Sequence, residues 1–185
     1  MHKIKIIDIS LTKAGFVLFL AEKEEGPVLP VIIGISEAHS ITLALNDIEP
    51  ERPLSHDLFK TIMDMNECSI IKVIVNRLED KTFYADVYMK TNDGVHVIDS
   101  RPSDAIALAI RYKAPIYITD EVMKKGGDFP SQPILGDKFD TDKIEDFNEI
   151  QHLESQLTEA ISREFYEDAA LLRDKINKLK EETHN

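Results

Sequence analysis

Three observations predict an α+β fold: a mostly antiparallel sheet from two β-β-β-α units with packed helices, then a C-terminal helical hairpin. Strand-like alternation comes in two separate blocks of three segments. Each block runs into a helix that opens Ser, acid, Ala, and the C-terminal stretch steps by three and four instead of two.

The first segment, "KIKIIDISL", alternates apolar and polar residues with one slip at Ile6 and Ile7, where a bulge restores the phase. "GFVLFLAE" and "VLPVIIGI" follow across Ala14-Gly15 and Glu25-Gly26-Pro27, so a three-strand meander is predicted. Ser36 is placed as the N-cap of a helix over "EAHSITLALND", whose Ala38, Ile41, Leu45 and Ile48 recur at helical spacing. A second helix follows "ERPLSHD", with Ser55 as cap and Leu58, Phe59, Ile62 and Met63 as its apolar stripe.

The pattern then repeats. "SIIKVIVNRL", "KTFYADVYMK" and "GVHVIDS" read as three strands, the last two joined by Asn92-Asp93-Gly94, the firmest hairpin signal in the chain. They lead into "PSDAIALAIRY". The two helix entrances, from Ser36 and Ser103, are offset by 67 positions, an internal duplication that makes Glu37 and Asp104 counterparts. "APIYITDEVM" closes the domain with a short strand and turn.

The organisation expected is therefore a domain over 1–125, a Gly-, Pro- and Asp-rich linker over 126–142, and a helical hairpin over 143–185. In the hairpin, Ile150, Leu153, Leu157, Ala160, Phe165, Ala169, Leu172, Ile176 and Leu179 form the seam of two helices folded on each other. Such a hairpin buries little alone and is expected to seek a protein partner or its own copy.

Of 185 residues, 43% are hydrophobic and 30% charged, the balance of a globular chain with a real core. There is no signal-peptide pattern and no apolar run of membrane-spanning length, so a cytoplasmic protein away from membranes is expected. The single cysteine, Cys68, cannot form an internal disulfide. Net charge is −12, and neither part is a basic platform: residues 1–130 carry 15 Lys and Arg against 20 Asp and Glu, the rest 7 against 14. Binding to phosphate must then use a local positive spot or a metal.

Polarity concentrates in "DSRPSDAIALAI". Pro102 suits the first helical position, and Ser103 and Asp104 sit over the first turn, where unpaired amides and the positive dipole end favour an acid. Capping does not account for Asp99 or Arg101. Asp99 and Asp104 are placed to approach a common point as ligands of a divalent ion, magnesium or manganese, with Arg101 neutralising them or gripping phosphate. Plain ion pairing is the structural alternative. In "ERPLSHDLF", His56 and Asp57 fall on a first turn, where the dipole disfavours the imidazolium and leaves a base able to take a proton from water, or else a surface pair. No Walker A loop, Rossmann glycine pattern, His-Glu-x-x-His motif or nucleophile elbow is present.

"LPVIIGISEAHSI", "RPLSHDLF", "FYADVYM" and "IDSRPSDAIALAIRYKAPIY" together resemble the bifunctional nuclease family over about residues 3–125. The resemblance implies hydrolysis of DNA and RNA phosphodiesters. Its characteristic polar positions fall on Glu37, Arg52, His56, Asp57, Asp99, Arg101, Ser103 and Asp104, with His39 and His96 outside the pattern. The resemblance fixes no catalytic set; on a nuclease reading of these positions Glu37, His56, Asp57, Arg101 and Asp104 are expected to be catalytic, Arg52, Arg101 and Ser103 substrate-binding, and Asp99 and Asp104 metal ligands. "LTEAISREFYEDAALLRDKINKLK" resembles the UVR motif, a helical hairpin that binds other proteins.

Two functions are expected to compete. One is a metal-assisted nuclease acting on nucleic acid. The other is a non-enzymatic oligomeric scaffold or stress-response adaptor that docks a partner through its hairpin. Open strand edges in both units also predict a homo-oligomer.

Overall fold

The computed structural model describes residues 1–12, 15–23, 26–127, 153, 156–157 and 165–183. The chain divides into two compact units, Met1–Lys138 and Phe139–Asn185. The first holds β1 (His2–Thr12), β2 (Gly15–Ala21), β3 (Val28–Ile33), α1 (Ile35–Leu45) and α2 (Ser55–Met65). These are followed by β4 (Ser69–Glu79), β5 (Thr82–Thr91), β6 (Gly94–Ser100), α3 (Pro102–Arg111), β7 (Ile116–Ile118) and α4 (Asp120–Gly126). The second holds α5 (Tyr166–Thr183).

The α+β class is as predicted, with two β-β-β-α blocks in chain order. All seven strands form one sheet, ordered β3-β2-β1-β7-β4-β5-β6. Each block is an antiparallel meander, and the slip in β1 appears as a register shift between Ile6 and Asp8. The two halves meet on β7, which pairs antiparallel with β1 and parallel with β4. The turn predicted after it is helix α4, capped by the Thr119 hydroxyl accepting from the Val122 amide.

Strand alternation decides which side chains meet the helices. Val73 and Val75 of β4, opposite Val87 and Ala85 of β5, are buried beneath α3. In the other half, Phe16, Leu18 and Leu20, opposite Ile33, Val31 and Leu29, fill the same layer. α3 is apolar almost all round because α1 and α2 cover what the sheet does not; Ala105, Ile106, Ala107 and Ala109 are fully buried.

The helix starts differ from the predicted caps by two positions at Ser36 and one at Ser55. Gly34 caps α1, Leu54 caps α2 and Arg101 caps α3, all with extended backbones. Extended segments run directly into these helices, so backbone conformation, not a serine side chain, sets the start. The 67-position offset survives: Glu37 and Asp104 are both the third residue of their helix.

Three helices end alike. Asp47, Glu67 and Lys113 take positive φ values of 52°, 54° and 52°. Behind each, a 2.8–2.9 Å bond returns to the last turn, from Ile48 to Leu43, Cys68 to Met63 and Ala114 to Ala109. This is the Schellman stop, reached here without glycine.

In the second unit, Leu153 and Ile176 are buried, with Leu157 and Leu172 packed against them. Ala169 is buried too, as the seam requires, while Phe165 is half exposed. The predicted linker beyond residue 127, and Ile150 and Ala160, lie outside the described residues. Among the described residues no helix is long and apolar enough to cross a membrane.

Candidate functional site

α1, α2 and α3 bring their polar ends together. The duplicated acids converge on one cation: Arg101 Nη2 donates to Glu37 Oε1 at 2.7 Å, and its Nε donates to Asp104 Oδ2 at 2.7 Å. Nη2 also reaches Asp104 Oδ1 at 3.1 Å. The Asp104 hydrogen bond first, then the charge of Asp104 and the Glu37 bond, push the guanidinium further above its ordinary value, so it stays charged at any working pH. Arg101 is 68% exposed while Glu37 is 15% exposed, so the cation lies outermost over recessed acids.

Glu37 is held back by a local backbone feature. A Cβ built on Gly34 would stand 2.3 Å from Glu37 Oε2, so the carboxylate folds onto the bare glycine.

Behind Asp104 runs a second string of contacts. His56 Nε2 lies 3.2 Å from Asp104 Oδ1, and Nδ1 lies 2.8 Å from Ser40 Oγ. Arg111 Nη2 donates to that same Ser40 oxygen at 3.0 Å, and Arg111 Nε donates to Asp57 Oδ1 at 2.6 Å. A guanidinium only donates and a carboxylate only accepts, which orders the neutral form: Arg111 to Ser40, Ser40 to His56 Nδ1, His56 Nε2–H to Asp104. The imidazole lone pair therefore faces buried Ser40, not water.

Asp57 closes the string and caps its own helix by accepting from the Leu54 amide at 2.9 Å. Burial pushes its carboxyl up, but the Arg111 bond, the Leu54 amide and the charges of Arg111 and His56 together hold it below the ordinary aspartate range. Arg111 is only 7% exposed, a buried cation that this carboxylate balances.

Glu37, His56, Asp57, Arg101 and Asp104 are thus one connected network. Asp99 is not among its contacts. It lies opposite Asp86, on the sheet face away from Ala85 and Val87, is 72% exposed, and pairs at 3.9 Å with Arg77. Strand parity sends it to the far side from α3, so the expected ligand pair of Asp99 and Asp104 is not assembled. Among the described residues no group of three or more His, Cys, Asp or Glu side chains is arranged to hold a metal ion. Arg52 is exposed in the loop between α1 and α2, and Ser103 is buried at the second position of α3.

Sequence reasoning missed Ser40 and Arg111. Arg111 carried a signal, as the charged residue that follows the apolar run Ala105–Ile110 of α3; Ser40 carried none beyond its place on the inner face of α1.

The model of the bifunctional nuclease domain matches residues 18–130, and that of the UvrB/uvrC motif matches residues 148–182. An uncharacterized protein of Mycobacterium tuberculosis is 39% identical over 111 residues, covering 60% of this chain and 66% of that protein. Bifunctional nuclease 1 of Oryza sativa subsp. indica is 23% identical over 166 residues, 80% of this chain and 50% of the relative. Bifunctional nuclease 2 of Arabidopsis thaliana is 25% identical over 185 residues, 85% and 53%. The chain thus spans about half the length of the plant relatives and just under two thirds of the mycobacterial one. With more than half of its residues matched in the region that contains the whole Glu37–Arg101–Asp104 network, the chain belongs to the bifunctional nuclease domain family.

Proposed function

We propose that the chain is a nuclease that hydrolyses phosphodiester bonds of DNA or RNA at the Glu37–Arg101–Asp104 mouth. The observation that carries this reading is the outermost guanidinium seated on two recessed carboxylates from two helices. A phosphate competes for the planar fork of Arg101, and Arg101 turns outward to grip it. Glu37 and Asp104 are then uncovered beside the phosphorus. Asp104, oriented by His56 Nε2–H, accepts the proton of the attacking water, and the departing ester oxygen takes its proton from solvent. His56 is thereby a positioning residue, because its lone pair is spent on Ser40. Asp57 and Arg111 hold that arrangement in place.

Magnesium is satisfied by one or two carboxylates plus water and phosphate oxygens. Glu37 and Asp104, not Asp99 and Asp104, are the pair that would hold it once Arg101 has moved, and it would polarise the phosphoryl oxygen.

The test is hydrolysis of single-stranded DNA and RNA by highly purified full chain, with and without magnesium or manganese. Asp104→Asn with Glu37→Gln is expected to lower turnover by at least ~100-fold, as the loss of preorganised charge does elsewhere. Unchanged turnover in that double variant defeats the reading.

A second reading concerns the hairpin. The UvrB/uvrC motif match and Leu171, exposed on α5, support docking of a protein partner there. Leu171→Glu should leave the helix intact by circular dichroism and abolish capture of that partner; capture that survives it refutes a contact through this side of α5.

A further inference from the structure

α2 carries its charges on one side only. His56 meets Ser40 and Asp104, Asp57 meets Arg111, and Lys60 and Asp64 pair with each other beside the Tyr112 hydroxyl. The opposite side holds Ser55, Leu58, Phe59, Ile62, Met65 and Asn66, none of them charged. Leu58, Phe59 and Ile62 are each about half exposed, and Met65 is 80% exposed. These four side chains leave roughly 500 Å² in water, at the upper end of the largest patch a typical monomer exposes.

We propose that this side of α2 is the contact between two copies of the chain, packed as an antiparallel, two-fold α2–α2 pair. Area supports it: two such patches, fully joined, remove up to roughly 1,000 Å² from water, the lower bound for a specific interface. Charge supports it as well. Each copy carries −12, so two copies repel wherever their charged surfaces face, and the uncharged side of α2 lets them close without opposing like charges. The antiparallel direction sets the positive start of one helix, near Ser55, against the negative end of the other, near Asn66. An anionic membrane surface is a poor alternative occupant, since the one basic residue of α2, Lys60, is on the far side and already paired.

The pairing is independent of the nuclease reading, because its readout is mass and not turnover. Light scattering on the full chain at micromolar concentration should give a dimer. Ile62→Glu, and separately Leu58→Arg, should give a monomer with unchanged circular dichroism and Tm, while Val97→Glu on the exposed edge strand β6 leaves the dimer intact. A monomeric native chain overturns the proposal. So does a dimer that persists in both α2 variants, or one that is lost in Val97→Glu and retained in Ile62→Glu.

Discussion

Glu37 and Asp104 reach the same guanidinium from the third position of two different helices, each 2.7 Å from a nitrogen of Arg101. Lysine keeps the charge of Arg101 but cannot span both carboxylates or take a phosphate with two parallel bonds. Arg101→Lys is expected to lower kcat/KM on single-stranded DNA by about 100-fold, the scale of losing one preorganised donor. Because the side chain is mostly exposed, Tm should change little. Full activity in Arg101→Lys removes the phosphate-gripping role.

The bare Cα of Gly34 is what lets the Glu37 carboxylate fold back. Gly34→Ala places a methyl 2.3 Å from Oε2, too close to remain, and pushes the carboxylate away from its seat on Arg101. Since the displaced atom ends a flexible side chain and the φ of Gly34 is −76°, the fold should tolerate the change. A Tm near the native one with activity reduced by roughly tenfold is the expected result; native activity shows that the position of Glu37 is immaterial.

Arg111 is buried and balanced by Asp57. Arg111→Ala leaves that carboxylate and Ser40 without their donor and should cost about 3 kcal/mol, a fall in Tm of roughly 9 °C. The double variant Asp57→Ala, Arg111→Ala should be less unstable than the two losses added together. Strict additivity in calorimetry rules out the pair as a unit.

The Asp57 carboxyl is held below its ordinary value in the folded chain, so its share of stability is complete above the unfolded value of about 3.9 and disappears as pH falls through the lower folded one. Denaturation midpoints should therefore drop on acidification below about pH 4, and Asp57→Asn should flatten that limb while lowering the plateau near neutrality. An acid limb as steep in Asp57→Asn as in the native chain excludes this carboxylate as its source.

Lys113 sits in the left-handed region at the end of α3, where an L side chain costs roughly 1 kcal/mol that glycine does not pay. Lys113→Gly should raise Tm by about 3 °C and leave activity alone. A lower Tm in that variant contradicts the Schellman account of this helix end.

Local pattern carried much of this structure. The two meanders, the bulge at Ile7, the apolar helix behind Pro102 and the equivalence of Glu37 with Asp104 all follow from period, turn residues and an offset of 67 within the sequence. What local pattern could not supply was pairing at a distance. A three-residue strand, Ile116–Ile118, has no period of its own, and its place between β1 and β4 is decided by partners about 40 and 110 residues away. Asp99 was legible in principle: counting alternation outward from Ala85 sends it to the face opposite α3. Ser36 and Ser55 misled as caps because extended chain at Gly34 and Leu54 fixes the helix starts first.

The insertion of β7 between the two meanders has a consequence for synthesis. His2 pairs with Ile118 and Ile4 with Ile116, so β1 lacks its inner neighbour until Ile116–Ile118 has left the ribosome, more than 100 residues later. The amino-terminal meander emerges early with one flank open, and a single short segment then zips both halves shut. Slow closure at that seam, with aggregation as its competitor, is the vulnerability that this topology builds into the nascent chain.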